Sequence, residues 1–184
     1  MEQNVIQKNM WNTAGKAGLF LGLTSTAFLF ISQFLGQIEI PALVSSILSF
    51  VLWSAKFVGC IWIMKYFMKK FASENTSTTN AGTFKLGMIT AILSALVYSA
   101  VTFANVAFIS PELFEEQMNV VMQQMAPMMD SNSMNQMDEL MAKLPQITFF
   151  SNLFYCIIYG SCLSYILSRN IPSKNPFADT KSEW

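Results

Sequence analysis

One side chain is chemically out of place. Lys56 interrupts an apolar run, residues 40–64, that carries no other charge. It lies nine residues before Lys65, which with Lys69 and Lys70 closes the run. At about 1.5 Å per helical residue, its amine sits about 13 Å inside the basic end. A lysine near mid-bilayer costs about 3 kcal/mol on insertion scales, so it persists where a partner or a function holds it. No Asp or Glu occurs in any of the apolar stretches to neutralise it. The groups able to accept its protons are backbone carbonyls, Asn105, and the phenols of Tyr98, Tyr155 and Tyr159. That chemistry suits an anion or proton site inside a helical bundle. The plainer expectation is a structural lysine, snorkelling or bonded to carbonyls between helices.

Methionine is the second concentration of chemistry. Met118, Met122, Met125, Met128, Met129, Met134, Met137 and Met141 crowd one segment. Thioethers are soft ligands that select Cu(I), and Met122, Met125 and Met128 have the spacing of one helical face. The chain has no histidine, and none of its cysteines falls in this segment. Cu(I) is therefore not expected. An adaptable apolar face, lying on headgroups or covering the bundle, is. Cys60, Cys156 and Cys162 sit inside apolar stretches without Cys-x-x-Cys spacing and read as buried bystanders. The serines and threonines lack a base partner, and no glycine-rich loop precedes a helix to cradle phosphate. Neither catalysis nor a cofactor is expected. Zero net charge gives no global field to attract nucleic acid.

The elements that position these residues follow from length and composition. Only 12% of the 184 residues are charged, against about 25% in soluble domains. Residues 17–38, 40–64 with Lys56, 86–111 and 144–168 are each long enough to cross a hydrocarbon core of about 30 Å. The first stretch is 22 residues long and no small-x-small cleavage site follows it, so it reads as a signal-anchor helix. The expected fold is all-α: an integral membrane four-helix bundle with helices at about 14–34, 42–66, 84–109 and 146–168. Residues 1–13 are expected as a polar arm and 169–184 as a disordered tail. Between the third and fourth spans, 111–144 is expected as an extracytoplasmic amphipathic helical hairpin. Pro111 and Glu112 open it, Pro127 interrupts it, and Pro145 starts the last span.

Basic residues set the expected orientation. Lys8, Lys16, Lys65, Lys69, Lys70, Lys85, Arg169, Lys174 and Lys181 share one side. The other side holds Lys143, Glu39 and the carboxylates between Glu112 and Glu139. Positive loops stay cytoplasmic, so both termini are expected inside a bacterial inner membrane.

Small residues four apart mark the expected helix-packing faces. They are Ala14, Gly18, Gly22 and Thr26 in the first span, Gly87, Ala91, Ala95 and Ser99 in the third, and Gly160, Ser164 and Ser168 in the fourth. Packing within one bundle is the plain reading. The sharper one gives the first ridge to an oligomer or a partner protein.

Several short motifs fit one pattern. They are Gly18-Leu-Phe-Leu-Gly22, the basic exit at Lys65 to Lys70, Gly82-Thr-Phe-Lys-Leu-Gly87, Ser110-Pro-Glu-Leu-Phe with its Glu/Gln/Met-rich continuation, and Pro145. Over about 10–170 the chain resembles the bacterial domain-of-unknown-function family 4199. The resemblance implies a small four-helix membrane protein with no established activity. The expectation is a non-enzymatic structural, accessory or interaction protein whose partners are the lipid bilayer and either a second copy or another membrane protein. The alternative is a small oligomeric transporter or channel using Lys56, with Tyr98, Asn105 and Tyr159 as its polar companions.

Overall fold

The computed structural model describes residues 2–38, 41–75, 78–125 and 140–171. Among them it is helical, with no strand. Helix α1 runs Glu2–Gly36, α2 Ala42–Glu74, α3 Asn80–Ala104, α4 Pro111–Met125 and α5 Leu144–Asn170. A π-helical turn, Asn105–Ile109, extends α3. Four helices are long and apolar enough to cross a membrane: Gln7–Gly36, Leu43–Glu74, Asn80–Ile109 and Leu144–Asn170.

The ends differ from the sequence reading, for local reasons. Residues 1–13 were expected as a separate arm, yet α1 begins at Glu2. No proline or glycine breaks this stretch. Met10 packs against the core, and Asn9 Nδ2 donates to Asn75 Oδ1 at 3.4 Å. α2 continues past residue 66 to Glu74 because Met68, Phe71 and Ala72 find a buried face. α3 starts four residues early: the Thr79 hydroxyl accepts from the Gly82 N–H at 3.1 Å, a side-chain cap.

The π-turn also has a cause. Pro111 lacks an N–H, and its ring would clash with the carbonyl four residues back in a continued α-helix. The backbone widens before it, and the Ser110 N–H bonds the Asn105 carbonyl at 2.9 Å. Of the expected hairpin, α4 and residues 140–143 are described. Residues 126–139, with Met128, Met129, Met134 and Met137, lie outside the described residues, as do 172–184 of the expected tail.

α3 is the central element, packed along its length against α1 on one side and α5 on the other, while α2 leans mainly on α1. The core is off-centre. Ala14, Met64, Met68, Phe71, Leu86, Leu167 and Ile171 bury one another at the basic end, where the chain enters α1, turns from α2 to α3 and leaves α5. α2 shows the asymmetry most plainly. Among its described residues the buried ones all lie between Ile63 and Ala72, whereas Leu43, Ile47, Phe50 and Val58 are exposed. The bundle is closed at its basic end and open along α2 at the other.

Candidate functional site

Lys56 lies where the closed half gives way to the open half. It is half-buried on α2, and its amine sits 4.4 Å from the centroid of the Tyr98 ring on α3. It also donates to Tyr98 Oη at 3.4 Å, a long hydrogen bond. A cation over an aromatic face is attracted by the ring quadrupole, more strongly once desolvated. Tyr98 therefore supplies both a face and an acceptor. No carboxylate pairs with the amine among the described residues.

The amine borders a cavity of about 170 Å³ to which all four long helices contribute. Leu21 and Ser25 come from α1, Trp53 and Cys60 from α2, Ser94 from α3, and Asn152 and Cys156 from α5. An aromatic ladder forms its open side. Trp53 stacks on Phe57 at 5.6 Å, Phe57 meets Tyr159 of α5 at the same distance, and Tyr159 stacks on Tyr155 at 6.4 Å. Spacings of four within α2 and within α5 put each pair on one helix face. The Tyr159 hydroxyl is buried and has no hydrogen-bond partner among the described residues. Ser25 Oγ and Cys60 Sγ approach within 3.6 Å across α1 and α2.

The polar residues named from sequence thus divide. Lys56, Tyr98 and Tyr159 border one cavity. Asn105 does not join them. It sits in the π-turn, buried, and its Nδ2 donates to Gln33 Oε1 of α1 at 3.0 Å, holding the far ends of α1 and α3 together. Sequence reading overlooked Gln33, Ser25, Asn152 and the Trp53–Phe57 pair. The aromatic pair brackets Lys56 at helical spacing and was findable. Asn152 gave no signal, because its amide also bonds its own helix, at the Thr148 carbonyl, at 3.0 Å.

The small residues serve two close contacts, one on each side of α3. A Cβ at Gly18 would lie 2.7 Å from the Leu93 Cβ, and one at Gly22 would lie 2.7 Å from the Val97 Cβ, so α1 uses both glycines against α3. On the other side of α3, Gly87 meets the Ser164 side chain and Gly160 meets Ala91. Ala95, fully buried, continues the α3 face. Ser164 Oγ donates to the Phe84 carbonyl at 2.9 Å, an interhelical hydrogen bond that so close an approach makes available.

The methionine segment reaches back to the bundle. Phe114 and Met118 of α4 share a pocket of about 100 Å³ with Val106, Met141 and Leu144.

Four long apolar helices closing around a small cavity define an all-helical protein compatible with multi-pass membrane insertion. The chain matches the family described as a protein of unknown function (DUF4199) over residues 16–169, and it belongs to that family. No curated protein and no solved structure matches it.

Proposed function

We propose that this is a non-enzymatic membrane protein that works by interaction, with both termini on the cytoplasmic side of a bacterial inner membrane. The observation that carries this reading is the asymmetric core. Met64, Met68, Phe71 and Leu86 fill the basic end, whereas the first half of α2 has no buried residue among those described. Pores are lined by carbonyls or charged rings, or are closed by apolar constrictions that dewet, and the apolar packing at the basic end leaves no open path through this conformation. A transporter built on Lys56 is the second reading, favoured by the cavity that all four helices share.

The interaction reading is tested by photo-crosslinking in intact cells from probes at Ile47 and Val58, both exposed on α2. One dominant protein adduct, including a second copy of this chain, is the expected result. Lipid adducts alone from both positions would sink it.

The orientation rests on the basic residues of one end and the carboxylates of the other. It has a separate test in a chain with its three cysteines replaced by serine. A cysteine at exposed Gln123 on α4 should react with an impermeant maleimide in whole cells. One at exposed Ala81, beside the α2–α3 connection, should react only after permeabilisation. The reverse pattern would invert the topology.

A further inference from the structure

We propose that the cavity beside Lys56 binds the carboxylate of a single-chain amphiphile, with the acyl chain leaving between α2 and α5. The inference goes beyond the interaction reading and stands whether or not a protein lies against α2.

The cavity is lined by donors lacking acceptors. A lysine ammonium has three N–H donors. One reaches Tyr98 Oη at 3.4 Å, and the other two meet no acceptor among the described residues. The hydroxyl of Tyr159, another lining residue, is buried and has no partner among the described residues either. A polar group withdrawn from water without a partner is destabilising, more so if charged. A ligand bearing acceptor oxygens and one negative charge would satisfy the amine. A carboxylate fits that description, since it only accepts and has two oxygens to offer Lys56 and a second donor of the cavity wall. No Asp or Glu in the long helices' apolar stretches supplies one from within.

Size and lining set the rest of the ligand. At about 170 Å³ the cavity is close to the engineered void of about 150 Å³ that takes up benzene. It holds a head group and its first methylenes, not a two-chain phospholipid. Leu21, Phe57, Met64 and Leu163 give it apolar walls. Trp53 and Tyr155, at the rim, are 60% and 68% exposed, and α2 is unpacked beyond them. A chain can therefore leave sideways along an aromatic surface into lipid.

The test uses the full-length protein in nanodiscs and a diazirine-bearing dodecanoate as photoprobe, with adducts mapped by mass spectrometry. Labelling should fall on the α2 and α5 peptides that border the cavity. Dodecanoate should compete at least tenfold better than its methyl ester. Lys56→Met should cut labelling at least tenfold, Tyr159→Phe about threefold, and Lys56→Arg should retain most of it. Hexanoate competing as well as dodecanoate would keep the carboxylate site but assign its ligand to the aqueous phase. Equal competition by the methyl ester, or undiminished labelling of a folded Lys56→Met variant, would overturn the proposal. The ester comparison needs no substitution, so it decides the matter even if the variant fails to fold.

Discussion

Replacing Gly160 with valine is expected to cause the largest loss of stability of any single change in the α3–α5 seam. A Cβ at this position runs into the Cβ of Ala91 and lies 3.4 Å from its Cα. Alanine has no flexible end that could swing away, so the two helices must separate. Overpacking of a close-packed interior costs about 1–3 kcal/mol and occasionally more. The gain in helix propensity on removing a glycine is at most about 1 kcal/mol, and valine recovers only part of it. The clash therefore wins. The effect is sharpened by lipid, where helices associate through van der Waals fit and hydrogen bonds and not through a hydrophobic driving force. Separation of α3 and α5 would also strain the Ser164 bond to the Phe84 carbonyl. Gly59→Ala is the matched control: nothing lies within 4 Å of a Cβ there, so it should be neutral or slightly stabilising. Unfolding midpoints in mixed detergent micelles, measured on both full-length variants, make the comparison. A Gly160→Val midpoint equal to that of the parent chain would refute the seam.

Phe71→Ala is expected to have the second-largest effect, by a different mechanism. Phe71 is 1% exposed and belongs to the basic-end core. It lies six residues beyond Lys65, about 9 Å further along α2. Lys65, Lys69 and Lys70 mark the headgroup level, and Phe71, one residue past Lys70, sits where the bundle meets water. Burial there is driven by water, as in a soluble domain. Truncating a buried phenylalanine in such a core costs about 3–5 kcal/mol. Phe50, 67% exposed on the unpacked half of α2, provides the contrast. Phe50→Ala should change stability by less than about 1 kcal/mol, because lipid replaces the ring's surroundings. Thermal unfolding of both variants in nanodiscs tests the pair, and equal losses would mean the basic-end core is not special.

The two variants also separate what was legible in the residues from what was not. Gly160 and Ala91 each belong to a small-residue ridge visible at i, i+4 spacing, and the fold brings those two ridges together. Phe71 was passed over. It follows three lysines and precedes a polar stretch, and nothing local says that Met10, Ala14, Leu86 and Ile171 will close around it.

By itself the sequence determined what depends on runs and periods. Apolar length specified four helices long enough to cross a membrane, small residues four apart specified their close faces, and Pro111 and Pro145 punctuated them because each lacks a donor and fixes φ. The absence of histidine and of acidic residues in the spans narrowed the chemistry to Lys56. The tertiary structure alone decided the lateral arrangement. It put α3 at the centre, left half of α2 unpacked, joined Lys56 to Tyr98 beside a cavity that Tyr159 also lines, and sent Asn105 to Gln33. The physical reason lies in the solvent. In water, a polar face and an apolar face announce which side is buried. In lipid both sides are apolar, so the pattern along a helix does not distinguish a neighbour from an acyl chain, and only contacts between residues far apart in sequence settle which face packs.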